Sequence, residues 1–133
     1  MTPEEAILTV LEPIAGLRGK VFPAEAIKNV PAPFVFYLQD GEDEDETLDG
    51  PTGLMSADFE INCVAQNYAG LTRLVAAVRQ ALQSMQGVTY GDLLIERSSV
   101  RQASPDLKEK EVNLYRRMLS LAIHYQKEET KHE

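Results

Sequence analysis

The spacing of apolar residues predicts two helices. Residues 2–5, with the sequence TPEE, suit a helix start with a capping box, and apolar residues then recur at helical spacing to Ile14. A second helix is predicted from Tyr68 to Gln86, because its apolar residues fall on one face. Asn67 suits its N-cap, and Gly87 can stop it.

Four further segments have the composition or the alternation of strands. Phe34–Leu38 is a short aromatic and β-branched run, and Met55–Ala65 alternates apolar and polar residues. Leu93–Ala103 and Val112–Gln126 are the third and fourth strands. Val21–Pro23 is predicted to be a short extended piece beside the core. Along the chain the predicted order is helix, strand, strand, helix, strand, strand. This order predicts an α+β two-layer sandwich, with a mostly antiparallel sheet of about four strands and two helices on one face.

An acidic run separates the first two predicted strands. It contains Asp40, Glu42, Asp43, Glu44, Asp45, Glu46 and Asp49, and glycine, proline and threonine follow it. Because this composition buries nothing and repels itself, it predicts a mobile loop at about residues 40–53. The whole chain is predicted to be a single domain over residues 1–126, followed by a polar tail over residues 127–133.

Charge and cysteine content narrow the classes of function. The formal net charge is −8, which argues against binding to nucleic acid or to an anionic membrane surface. Cys63 is the single cysteine, which excludes an internal disulfide and a cysteine-based zinc site. No apolar run is long enough to span a membrane, and the acidic N-terminal residues do not resemble a signal peptide. Synthesis and assembly are therefore expected in the cytoplasm.

The sequence offers little chemistry for catalysis or for a cofactor. Cys63 lies on the apolar side of its strand, which predicts a buried thiol, and His124 lacks a neighbouring nucleophile in the sequence. A calcium loop that began at Asp40 would need glycine at its sixth position and glutamate at its twelfth, where this chain has Asp45 and Thr52. No catalytic residue, metal ligand or cofactor is predicted, and the protein is not expected to be an enzyme.

The arginines of the last two strands leave alternatives open. Arg117 interrupts an apolar strand face, where it either pairs with a buried carboxylate or marks a surface that faces a neighbouring subunit. Arg97 and Arg101 share one face with Ser99 between them, and an ordinary solvent-exposed strand face is slightly preferred for them.

Several short segments, taken in order, resemble a known family. The chain resembles tail completion proteins of long-tailed bacteriophages and prophages over about residues 5–125. The segments that carry the resemblance are residues 21–23 (VFP), 32–37 (APFVFY), 48–51 (LDGP), 58–68 (DFEINCVAQNY), 74–82 (LVAAVRQAL) and 115–125 (YRRMLSLAIHY).

This resemblance implies a structural role in the virion. Members of such a family are expected to share the fold of the tail terminators of lambda-like phages. Those proteins form a ring, typically a hexamer, at the head-proximal end of the tail. The ring stops polymerisation of the tail tube and faces the head connector. The resemblance thus implies a homo-oligomer whose partners are the tail tube protein and a head connector or neck protein.

The acidic run adds a hypothesis about docking. Because it cannot fold alone, we expect it to order against a tail-tube or connector subunit. One alternative is a neck or connector protein of the same particle. Another is a small cytoplasmic metal- or ligand-binding domain, which the acidic cluster and His124 would support. A cytoplasmic adaptor unrelated to phages is the third.

Overall fold

The computed structural model describes residues 1–24, 30–47, 50–103, 106–109 and 114–127. Within them the elements are α1 (Pro3–Leu11), β1 (Val21–Pro23), β2 (Phe34–Thr47), β3 (Gly50–Ala65), α2 (Tyr68–Gln83), β4 (Thr89–Tyr90), β5 (Leu93–Gln102), β6 (Leu107–Glu109) and β7 (Leu114–Lys127). No helix within the described ranges is both long and apolar enough to cross a membrane.

Both helices begin with the caps that the sequence predicts. The Thr2 hydroxyl accepts a hydrogen bond from the Glu5 backbone N–H, and the Glu5 carboxylate accepts one from the Thr2 backbone N–H, both at 3.2 Å. At the start of α2, Asn67 Oδ1 accepts a hydrogen bond from the Gly70 N–H at 2.7 Å. These contacts satisfy backbone donors that the first turn of a helix leaves unpaired.

The described strands form one curled, mixed sheet, a half-barrel. The strand order is β1-β2-β3-β7-β5-β4, and β6 also pairs with β7. β1 runs parallel to β2, and the other pairs are antiparallel. The prediction of a two-layer sandwich with about four strands is therefore wrong. β4 and β6 contain two and three residues, too few to show an alternating pattern, and they form because β5 and β7 offer unpaired backbone beside them.

The main core lies between the sheet and the two helices. Phe59 and Ile61 of β3, Leu119 and Leu121 of β7 and Leu82 of α2 are fully buried there. A second, smaller cluster contains Ala32, Phe34 and Val64, with the partly buried Phe22, Val30, Phe36 and Leu114 packed against it. Val35 and Tyr37 point into the main core while Phe34 and Phe36 join the second cluster, so the start of β2 is covered on both faces.

The acidic run differs from the loop that its composition predicted. The backbone of β2 continues beyond Leu38 to Thr47 and pairs with β3, with Thr47 opposite Gly50. β3 in turn pairs with β7 only from Met55 onward, so the outer parts of β2 and β3 pair only with each other among the described residues. We refer to Asp40–Thr47 together with residues 50–54 as the acidic arm. A polar ribbon lacks an apolar alternation, so sequence patterns do not reveal it.

Candidate functional site

A β-bulge at the base of the acidic arm sets the directions of its carboxylates. The register shifts next to Asp40, after which Glu42 lies opposite Ala57 and Asp43 lies opposite Ser56. Ala57 is fully buried in the core, so Glu42 is on the helix side of the sheet and Asp43 is on the other side. All three acidic residues are exposed, and carboxylates therefore project from both faces of the ribbon.

Glu42 connects the base of the acidic arm to β7 through a hydrogen bond. Its carboxylate accepts a hydrogen bond from the hydroxyl of Tyr125 on β7. Burial, and then this hydrogen bond and the charge of Glu42, raise the pKa of Tyr125 to about 12. The hydroxyl therefore keeps its proton at neutral pH and remains a donor. Of the predicted docking residues, Glu42 thus has a structural partner within its own chain.

The remaining predicted docking residues lie further along the arm. The backbones of Glu44, Asp45 and Glu46 belong to β2, and Asp49 lies outside the described residues. A row of carboxylates along a narrow ribbon repels itself and is stabilised by a cationic surface. Within the described ranges, no three histidine, cysteine, aspartate or glutamate residues lie close enough together to hold a metal ion.

An open groove runs along α2 at a distance from the acidic arm. Its volume is about 780 Å³. Ile14 and Pro33 line it from two other segments, while Gly70, Ala77 and Ala81 line it from the helix. Sequence patterns missed this groove, because its walls come from three segments that are far apart in the chain.

Cys63 and His124, the two residues with the most reactive side chains, lie on the neighbouring strands β3 and β7. Cys63 is fully buried, as predicted, and burial raises the pKa of its thiol to about 12. At neutral pH it is therefore protonated and a poor nucleophile. His124 lies opposite Ser56 on β3 and Arg97 on β5. The Ser56 hydroxyl donates to the backbone carbonyl of Asp43 at 3.4 Å.

Arg117 has the carboxylate partner that the sequence left undecided. Its Nε and Nη2 atoms donate to the two carboxylate oxygens of Asp106 at 2.6 and 2.8 Å. This forked ion pair holds the residue before β6 against β7. The hydrogen bond from Arg117 lowers the pKa of the Asp106 carboxyl group. Arg117 therefore stabilises the fold of its own chain and is not required to explain a subunit contact.

Comparisons with known proteins agree with the family resemblance. The family model described as "Tail completion protein gp17" matches residues 5–126. No curated protein matches the chain at a significant level of similarity. A chain from the structure described as "Virion of native gene transfer agent (GTA) particle" is similar, with a TM-score of 0.58 and 18% sequence identity. The match covers 92% of this chain and 93% of that chain. At this level of identity the likeness concerns the fold.

Proposed function

The chain belongs to the family of tail completion protein gp17, and on that premise we propose that it caps the phage tail tube and joins the tail to the head. It is a structural protein of a phage tail and a virion component. In the proposed role, identical copies form a ring, with a hexamer expected, at the head-proximal end of the tube. One face of the ring contacts the tail tube protein, and the other contacts the head connector or neck protein.

The family match carries this proposal, and two features of the fold support it. The tip of the acidic arm, from Glu46 and Thr47 opposite residues 50 and 51, extends beyond the last pair of β3 with β7, and a two-stranded ribbon of this kind is marginally stable without a neighbour. Cys63 is buried and burial raises the pKa of its thiol to about 12, so this thiol is not a nucleophile at neutral pH. We therefore propose that the acidic arm docks on a basic protein surface in the assembled particle.

Purified protein added to cognate tail-tube subunits is expected to limit tube growth. Because a ring bound to the last tube layer blocks the next layer, tubes should be shorter and closed by a ring at one end. Electron microscopy gives both tube length and end density. An unrelated acidic protein of similar net charge controls for a simple polyanion effect. Unlimited tube growth with bare ends would contradict the capping role, and binding to head connectors alone would favour a neck protein.

Neutralising the middle of the acidic arm is expected to weaken assembly without unfolding the protein. The variant Asp43→Asn, Glu44→Gln, Asp45→Asn removes three negative charges from one segment and leaves the apolar core unchanged, so its melting temperature should stay close to that of the native chain. The fraction of capped tubes should fall. A matched control replaces the three glutamates of the C-terminal tail, Glu128, Glu129 and Glu133, with glutamine. Equal capping by both variants would remove the docking role of the arm.

A further inference from the structure

The groove along α2 carries a positive charge on a chain that is acidic overall. Arg73 is exposed at the rim, and it is the one charged side chain among the described residues that line the groove. Residues 61–91, which include the whole of α2, contain two arginines and no aspartate or glutamate, although the formal net charge of the chain is −8. Within the described ranges Arg73 forms neither a hydrogen bond nor an ion pair. Its guanidinium group is therefore available to a carboxylate of another molecule.

The floor of the groove is apolar. Leu74 is buried there, and Ile14 and Ala81 are partly buried residues that pack against the main core. Polar groups of the helix beside them already have partners, since the Ser84 hydroxyl donates to the Ala81 carbonyl at 2.6 Å and Asn67 caps the first turn. An occupant therefore gains binding free energy by burying apolar side chains, while Arg73 selects the charge of the occupant.

The walls of the groove favour an occupant that is itself helical. Among the described residues that line it, Ala65 is the one that belongs to a strand, and β3 is an interior strand that pairs with β2 and β7. An extended segment would therefore find no strand edge there for its backbone N–H and C=O groups. A helix satisfies these groups internally and can lay an apolar face into a hydrophobic groove.

A second copy of this chain is a poor candidate for the occupant. The exposed large apolar side chains of the described residues are Met1, Tyr68 and Val88, which stand singly in three separate segments. Within the described ranges, a second copy thus presents no continuous apolar face that would fill a groove of about 780 Å³. These observations select a helix of a different protein.

We propose that the groove along α2 binds an amphipathic helix of another virion protein, with apolar side chains against Leu74 and Ala81 and a carboxylate paired with Arg73. The inference goes beyond the capping role, since it requires only that the chain is a virion component. A basic partner is proposed for the acidic arm, whereas this groove takes an acidic one. The two surfaces therefore select partners of opposite charge.

Site-specific photo-cross-linking in assembled particles identifies the occupant. The photoreactive amino acid p-benzoylphenylalanine replaces Gln80, which is exposed at the rim of the groove. Gln83 is the matched control, because it is an exposed glutamine of the same helix that does not line the groove. Gln66, also exposed at the rim, provides a second position in case the bulky residue at position 80 blocks docking. Cross-linked peptides are identified by mass spectrometry after irradiation.

We expect the rim positions to cross-link to one segment of another virion protein, and the control position not to reach that segment. The segment should have apolar residues at helical spacing and an aspartate or glutamate beside them. A cross-link from both rim positions to a second copy of this chain, or to a segment without an acidic residue, overturns the proposal. Absence of any cross-link from both rim positions overturns it as well.

Charge reversal at Arg73 gives an independent test. The cross-linked segment is synthesised as a peptide, and its Kd for the purified chain is measured by fluorescence anisotropy. Arg73→Glu should weaken binding about tenfold, and a peptide with lysine in place of its acidic residue should restore binding to this variant. Arg101→Glu makes the same change of charge at an exposed arginine of β5 and should bind the peptide like the native chain. Equal affinity of the native and Arg73→Glu chains would rule out the proposed charge pair.

Discussion

Replacing Phe59 with alanine is expected to lower the free energy of unfolding by about 3–5 kcal/mol. Phe59 lies at the centre of β3, and its side chain is fully buried between the sheet and the helices. Truncation removes the ring from the apolar interior and leaves a cavity in a closely packed core. Neighbours on two strands and on α2 hold their positions through the sheet and the helix, so the cavity cannot close fully.

Urea unfolding of the purified protein measures this effect. Phe36→Ala is the matched control, because it removes the same ring from the smaller second cluster, where Phe36 is only partly buried. Its loss should be clearly smaller. The slope of the unfolding free energy against urea concentration should stay the same in both variants, so that the midpoints report stability. Equal losses from the two variants would mean that the main core is not the principal source of stability.

Replacing Arg117 with methionine is expected to lower the free energy of unfolding at pH 7 by about 1.5–3 kcal/mol. Methionine retains the length of the side chain but cannot form the forked ion pair with Asp106. The side chains of Arg117 and Asp106 are 14% and 26% exposed, so solvent screens the pair only in part. The substitution also leaves the half-buried carboxylate of Asp106 without its cationic partner, which adds to the loss of stability.

The contribution of this ion pair depends on pH in a defined direction. Arg117 lowers the pKa of Asp106 in the folded protein below its ordinary value of about 3.9. The unfolded chain therefore takes up a proton first as the pH falls, so the stabilisation is present above about pH 4 and is lost as the pH drops through the folded-state pKa. Arg117 itself stays charged throughout this range. The native chain should thus lose more stability than the methionine variant between pH 7 and about pH 3.

A double-mutant cycle separates the ion pair from packing. Asp106→Asn should cost a similar amount at pH 7, and the two substitutions together should cost less than their sum. Urea unfolding of the native chain, the two single variants and the double variant at pH 7 and about pH 3 gives the free energies that the cycle compares. A difference between the native chain and the methionine variant that is the same at both pH values would show that packing, and not the charge of Asp106, explains the loss.

The periodic segments were predictable because their burial repeats along the chain. Both helix caps and the alternating part of β3 follow from residues within a few positions of one another. The burial of Cys63 follows from the same alternation. The strand predicted from Leu93 to about Ala103 is confirmed as β5 (Leu93–Gln102), and its pairing with β7 is irregular. A bulge after Ile95 leaves Glu96 and Arg97 both exposed before Ser98 turns inward, and the sequence contains no signal for that extra residue.

The acidic residues were identified from composition, but their arrangement was not. Composition showed that residues 40–49 carry charge and bury little. Whether such a segment pairs as a strand depends on its neighbour, here β3, whose outer half supplies the backbone partners. The hydrogen bond between Glu42 and Tyr125 likewise joins residues that are far apart in the sequence.

The sequence by itself determined the two helices, β5 and β7, the first residues of β2, the alternating part of β3, the residues of the main core and the family resemblance, because each depends on local pattern or ordered motifs. Only the tertiary structure decided the number of strands, the curl of the sheet, the extension of β2 through the acidic run and the partner of Arg117. Those features depend on which segments meet in space. Strand pairing and ion pairing between distant residues are set by the packing of the whole chain, and no local pattern encodes them.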